Sequence, residues 1–485
     1  MSYTNDLTSL SAIKAASLLK ERQISSQELT LSYLERIEKT DADIGAFITV
    51  CREHALASAV KADEAIKNND VSPLCGIPFA LKDNICTDGI RTTCASRMLE
   101  NFIPPYDAFA ARILKDQNAV LLGKTNLDEF SMGSFTENSA LKKTLNPLDS
   151  KRAVGGSSGG SAAAVCAREA VFSLGSDTGG SVRLPASFCG VVGMAPTYGA
   201  VSRNGLIAFA SSLDRIGPIT KTIKDNAFVL SEIARKDPLD PTSVGLCEND
   251  LLNNIEKGVA GMKFAIPQEL FGNNVSKDIK EAMIRAVSTY EKLGASVDTV
   301  SIPSISHALS AYYVISSAEA SANLSRYDGI RFGARKKGDT LEEIYQNTRS
   351  SMLGSEVKRR IMLGTFILSE GYYDQYYKKA VAVRERLKEE FKVIFSKYDA
   401  LLSPLYPSSP PLCGSHVIDP ESVYKNDSFT VPSSIVGLPA LTLPCGKDSI
   451  GLPVGIQIIG KAFSEKKLYR IGFALESEIT EACHE

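Results

Sequence analysis

The sequence predicts an α/β protein built on a mixed, mostly parallel central sheet with helices on both faces. Three observations carry that reading. Short apolar runs, IPFAL (77–81), AVLLG (119–123) and VFSLG (171–175), alternate with helix-like segments from residue 77 onward, the pattern of crossover helices covering a sheet. A chain of 485 residues can bury a sizeable core, as one large or two medium domains. Finally, Gly155 to Arg183 holds two glycine-rich turns flanking one helix-and-strand unit, where glycine lets another backbone or a substrate approach closely.

Residues 8–70 read as helical throughout. Leu10, Ile13, Leu18 and Leu19 make one apolar face, Ser25-Ser26-Gln27-Glu28 has the form of a capping box, and a third run covers 52–67. This gives an N-terminal helical layer, 1–70, followed by a single domain, 71–485. Within that domain a helix is predicted over 107–117 and a strand at GVVGMAPT (190–197). The later half continues with KFAIP (263–267), a helix over 277–293, ASVDTV (295–300), a helix over 374–397, DALLSP (399–404) and PVGIQIIG (453–460). Residues 237–256, with DPLDPTS, form the best candidate for a loop between subregions.

Lysine and arginine number 54 against 56 aspartate and glutamate, a net charge of −2, which argues against a chain that holds nucleic acid by basic excess. The ten cysteines include no C-x-x-C pair, so neither a zinc site nor a disulfide framework is expected. MSYTNDLTSL lacks the basic and apolar regions of a signal peptide. No run approaches about 18 apolar residues. The expectation is a cytoplasmic protein without membrane contact, metal or cofactor of its own.

Serines crowd the two glycine-rich turns, and loops rich in free N–H groups suit developing negative charge. Several chemistries compete. Gly155-Gly156-Ser157-Ser158-Gly159 satisfies the G-x-S-x-G nucleophile elbow, which needs a histidine base; His307 and His416 are the formal candidates, neither in a site-like context. Asp177-Thr178-Gly179 has the aspartic-protease D-T-G but no second copy. Gly123-Lys124-Thr125 resembles the end of a P-loop, yet position 118 is Asn rather than Gly. A serine nucleophile with a lysine base remains, since burial lowers a lysine's pKa toward neutrality. Lys82, closing IPFALKDN, reads equally as a solvated strand end or as that buried base.

GGSSGGSAAA, DTGGSVRLP and the preceding IPFALKDN together resemble the amidase signature family. The resemblance implies the amidase-signature fold and a Ser–cis-Ser–Lys triad: Ser181 as nucleophile, Ser157 as proton relay after a cis peptide, and Lys82 as base. The amides of Thr178, Gly179, Gly180 and Ser181 would form the oxyanion hole, while Ser158 and Ser161 would be structural. Within the family, segments 124–139, 211–218, 312–333, 356–366 and 371–380 look like the branch of A subunits of tRNA-dependent amidotransferases. That likeness implies a glutaminase whose ammonia converts Glu-tRNA(Gln), Asp-tRNA(Asn) or both. It implies two partners, the B and C subunits of a heterotrimer. The B subunit would use ATP and Mg²⁺ and hold most of the misacylated tRNA, and the C subunit would be small. Arg360 would hold the glutamine carboxylate and Asp427 its ammonium, with Tyr312, Ser131, Met132 and Gly133 lining the pocket. A guanidinium fork and a carboxylate suit the two ends of a zwitterion; taken alone, both residues read as solvated charges, and Arg359 competes with Arg360. Ala195 and Ala200 depart from the lysine and arginine expected there, which bears on a surface or partner contact near 195–203. The other readings are a stand-alone small-molecule amidase and a non-catalytic assembly protein.

Overall fold

The computed structural model describes residues 6–272, 274–415 and 424–482. Its first helices are α1 (Ala12–Lys20) and α2 (Ser26–Ile44), the latter opened by the predicted capping box. The Glu28 amide donates to Ser25 Oγ at 3.1 Å and the Ser25 amide to the Glu28 carboxylate at 2.8 Å, each satisfying a donor that the first turn leaves orphaned. After β1 (Phe47–Val50) come α3 (Arg52–Lys67), β2 (Pro78–Lys82), α4 (Phe109–Asp116), β3 (Val120–Thr125), α5 (Gly159–Cys166), β4 (Phe172–Asp177), α6 (Arg183–Cys189), β5 (Val192–Ala195), β6 (Arg215–Thr220) and α7 (Ile223–Ile233). The second half contains β7 (Lys263–Pro267), α8 (Lys277–Lys292), β8 (Ser296–Val300), α9 (Ile305–Leu324), α10 (Leu341–Met352), α11 (Ser355–Leu368), α12 (Lys378–Phe395), β9 (Ala400–Pro404), α13 (Val431–Ile435), β10 (Ala440–Lys447), β11 (Pro453–Ile459) and α14 (Glu465–Ala482).

All eleven strands join one sheet in the order β1-β3-β2-β4-β6-β5-β10-β11-β9-β7-β8. The mixed α/β sheet expected from the sequence is present, with its parallel pairs in two blocks, β3-β2-β4 and β9-β7-β8. Between them β6, β5, β10 and β11 pair antiparallel. Helix α6 packs on β5, β10 and β11, while α14 packs on β10 and β11 together with α7 and α8, so helices cover both faces. The main core is continuous from α1 to α14. A satellite cluster of Phe135, Ala153, Leu184, Phe188 and Tyr406 supports the serine turns.

Two expectations are corrected, and two strands are present that the sequence reading does not assign. The N-terminal layer is not wholly helical: FITV forms β1 on the sheet edge, with Phe47 opposite Thr125, because three consecutive β-branched residues favour a pleated strand once an edge is offered. Strands β6 and β10 carry Pro218 and Pro444 in their interiors, so their sequences read as loop punctuation. Ala195 and Ala200 front no surface, since both are fully buried. The candidate loop at 237–256 falls in a longer stretch, 234–262, without helix or strand. The nine described cysteines are free thiols, and no described helix is long and apolar enough to cross a membrane. His416, Cys483 and His484 lie outside the described residues.

The capping box makes a direct check on the N-terminal layer. Ser25→Ala should destabilise the protein by about 1 kcal/mol, read as a lower urea midpoint with an unchanged slope.

Candidate active site

Strand β2 is buried along its whole length and delivers Lys82, fully excluded from solvent, to its C-terminal end. There the amine meets hydroxyls from the two glycine-rich turns. Lys82 Nζ lies 2.7 Å from Ser157 Oγ, 2.9 Å from Ser176 Oγ and 3.2 Å from the Ser176 carbonyl. The Gly156–Ser157 peptide is cis. Burial pushes Lys82 down to about 7, although the carboxylates of Asp128, Asp177 and Asp214 pull the other way. A fair share of these amines is therefore neutral near physiological pH.

The second turn, Thr178 to Ser181, is fixed from behind. Asp177 is fully buried between Arg183, at 3.0 Å, and Arg215, at 3.4 Å, and accepts the Val182 amide at 3.0 Å. Burial works against its charge, but the two guanidinium groups outweigh it and hold the carboxyl well below the usual range. Thr178 Oγ1 donates to Asp214 at 2.7 Å. A Cβ on Gly179 would meet the Tyr312 hydroxyl at 2.6 Å, and Gly180, at φ +142°, takes a conformation that L side chains rarely adopt. Among the described residues, the amides of Thr178 to Ser181 donate to no protein acceptor. The turns are joined where the Ser158 amide donates to the Ser181 carbonyl at 3.0 Å.

Ser181 opens onto a pocket lined also by Ser131, Gly133, Gly179, Gly180, Tyr312, Arg360 and Asp427. Arg360 and Asp427 thus share one cavity. Of the two arginines Arg360 lines the pocket, its side chain 6% exposed, whereas that of Arg359 is 56% exposed. Arg360 Nε donates to Glu356 at 2.7 Å and its guanidinium lies over Tyr313, 4.6 Å from the ring centroid. Nη1 is buried and has no hydrogen-bond partner among the described residues. Burial opposes the Arg360 charge, but Tyr313 and Glu356 outweigh it and hold the group above the ordinary arginine value. Asp427 accepts from Tyr313 at 2.6 Å and Ser134 at 3.0 Å. Burial raises it to about 6 against those hydrogen bonds and Arg360.

The family model described as Amidase matches residues 28–469. The chain belongs to the Amidase family. The A subunit of the glutamyl-tRNA(Gln) amidotransferase of Caldanaerobacter subterraneus subsp. tengcongensis is 52% identical over 472 residues, 97% of this chain and 96% of that one. Its counterpart in Moorella thermoacetica is 50% identical over 472 residues, 97% of both chains. Among solved structures, the A subunit of the glutamyl-tRNA(Gln) amidotransferase from Thermotoga maritima matches with a TM-score of 0.80 at 42% identity, covering 97% of this chain and 95% of that one. Native peptide amidase from Stenotrophomonas maltophilia matches with a TM-score of 0.81 at 29% identity and 96% coverage of each.

With the family established, the sequence expectations separate cleanly. Lys82 and Ser157 form a buried contact, and Ser181, Gly179, Gly180, Arg360, Asp427, Tyr312, Ser131 and Gly133 surround one pocket. Met132 does not line it: its side chain enters the main core, while the left-handed backbone at Phe130 and Ser131 (φ 49° and 63°) turns the segment. Ser158 and Ser161 are engaged in the scaffold, with the Ser176 carbonyl and Thr125. Lys124, at the C-terminal end of β3, is fully buried beside Asp83 and donates to Ile85 and Thr92, so it does not face a phosphate. His307 sits exposed at the start of α9. Asn84, Ser176, Tyr313, Glu356 and Thr430 were missed. Asn84, Tyr313 and Glu356 lie inside the segments IPFALKDN, 312–333 and 356–366 that carry the resemblance, but nothing in their spacing marked them.

The buried lysine has a thermodynamic signature. Folding holds Lys82 near 7 where the unfolded chain holds it near 10.5, so the unfolded state binds the extra proton between those values. Wild-type stability should therefore rise with pH across that window relative to Lys82→Met. The check is a urea midpoint series for both proteins: the difference should shift in the wild type's favour from about pH 7 to about pH 10.5.

Proposed function

We propose that this chain is the glutaminase component of a tRNA-dependent amidotransferase. The observation that carries the reading is that the pocket of Ser181 pairs the Asp427 carboxylate with Arg360, whose Nη1 has no hydrogen-bond partner among the described residues. Those groups fit the α-carboxylate and α-ammonium of an amino acid, and Ser181 in the same pocket would meet its side-chain amide. The names of the relatives, A subunits of glutamyl-tRNA(Gln) amidotransferases, point the same way.

Neutral Lys82 takes the Ser157 proton as Ser157 takes that of Ser181, and Ser181 Oγ attacks the amide carbonyl. The 178–181 amides receive the oxyanion; in other enzymes removing one such donor costs about 3 to 4 kcal/mol. The proton returns through Ser157 to the leaving nitrogen, ammonia departs, and water attacks the acyl-enzyme to release glutamate. Ammonia passes to the B subunit, which activates the tRNA-linked carboxylate of Glu-tRNA(Gln), Asp-tRNA(Asn) or both with ATP and Mg²⁺. A small C subunit completes the assembly, and the near-neutral charge of this chain leaves most tRNA contact to the partner. The assembled reaction forms a C–N bond and is a ligase reaction.

The deciding experiment measures ammonia release from glutamine, with and without the partner subunits. Ser181→Ala should lose turnover with its melting behaviour intact; wild-type-like turnover would overturn the assignment. Because the base must be neutral, kcat/KM should rise with pH through about 7 and level off above. Asp427 must be charged to hold the ammonium, so KM should climb as pH falls through about 6. Asp427→Asn should raise KM about 10- to 100-fold, the range of one charge-assisted hydrogen bond, and should abolish that climb.

A further inference from the structure

A neutral lysine amine has two N–H donors and one lone pair. Around Lys82 Nζ stand three oxygens: Ser157 Oγ, Ser176 Oγ and the Ser176 carbonyl. The carbonyl can only accept, so it occupies one N–H. The lone pair is left to one of two hydroxyls, of which Ser157 is the relay in the proposed mechanism. A lone pair satisfied by Ser176 would hold the base in an unproductive orientation.

Asn84 bears on that choice. Its side chain is buried, and Nδ2 donates to Ser176 Oγ at 2.9 Å and to Ser131 Oγ at 3.0 Å. The Asn84 N–H takes one lone pair of the Ser176 oxygen and so fixes where its other lone pair and its hydrogen can point, and that second lone pair accepts from Lys82. Were the amide turned over, its oxygen would take the Ser176 proton, with the same consequence for Lys82. We infer that Asn84 is a positioning residue that keeps Ser176 an acceptor and so directs the Lys82 lone pair onto Ser157. Asn84 touches no reacting atom and acts through Ser176. The inference rests on the base role given to Lys82 above.

The test is a double-mutant cycle in the full chain assembled with its partners, using Asn84→Ala, Ser176→Ala and the double variant. Two rates are read: glutamine turnover, and sulfonylation of Ser181 by phenylmethylsulfonyl fluoride followed by intact mass, which needs the activated hydroxyl but not glutamine. Each single variant should lose about tenfold in both rates, a fraction of what general-base catalysis supplies, with KM for glutamine unchanged. The double variant should be no slower than Ser176→Ala alone, since Asn84 has nothing left to act on. Ser176→Thr, which keeps the hydroxyl, should retain most of the rate and the full sensitivity to Asn84→Ala. Losses that multiply in the double variant, or a raised KM at unchanged kcat, would overturn the inference. Wild-type protein labelled at Ser181 yet inert to glutamine would sink the substrate reading alone, leaving the labelling cycle to decide this one. Labelling confined to another residue would overturn both.

Discussion

One fully buried carboxylate, Asp177, ties the molecule together at the site. It closes β4, accepts the amide that follows the nucleophile, and faces two arginines, from α6 and β6. Arg183 carries the connection onward to the Thr430 carbonyl, Ser433, Ser434 and Gln457. A buried ion cluster is a weak source of net stability, because each charge gives up its hydration. Its value lies in direction: nearly every donor has one geometry in which it is satisfied, and that geometry holds the 178–181 turn taut. Without it, four amides and a hydroxyl would sit on a flexible glycine loop.

The same physics that anchors this cluster tunes the working groups in opposite senses. Desolvation favours the neutral form of any ionisable side chain. At Lys82 no counter-charge among the described residues makes direct contact, so desolvation prevails and the amine is held near 7. At Asp177 two guanidinium groups reverse the outcome. Asp427 falls between, raised by burial and restrained by Tyr313 and Ser134. Three charges in comparable dielectric surroundings thus behave differently according to what their nearest neighbours donate.

Much of this was legible in the sequence, and for definite reasons. Lys82, Ser157 and Ser181 stand in compact motifs whose glycines mark where backbones must approach, and the capping box at Ser25 is a local code that tertiary packing did not need to alter. Strand β7 appeared where its apolar run placed it. The failures are non-local. FITV became a strand because an open edge lay beside it. Pro218 and Pro444 look like breakers until the ladder that accommodates them is known. The Arg359/Arg360 ambiguity is a matter of which side of one helix faces the cavity, and only packing against Tyr313 decides it. Asn84 and Ser176 sit inside the quoted stretches, but nothing there singles them out, since their importance comes from which oxygen lies within reach of which nitrogen.

The parts of the site come from different stretches of chain. Lys82, Ser157 and Ser181 precede β5, whereas Tyr312, Arg360 and Asp427 follow β8 on α9, α11 and the approach to α13. The groups proposed for chemistry and most of those proposed to hold the substrate thus come from different stretches and meet at the cavity wall, where Ser131, Gly133 and Ser134 of the earlier stretch join them. Substitutions on α9 or α11 therefore reshape that wall while leaving in place the strand and turns that carry Lys82, Ser157 and Ser181.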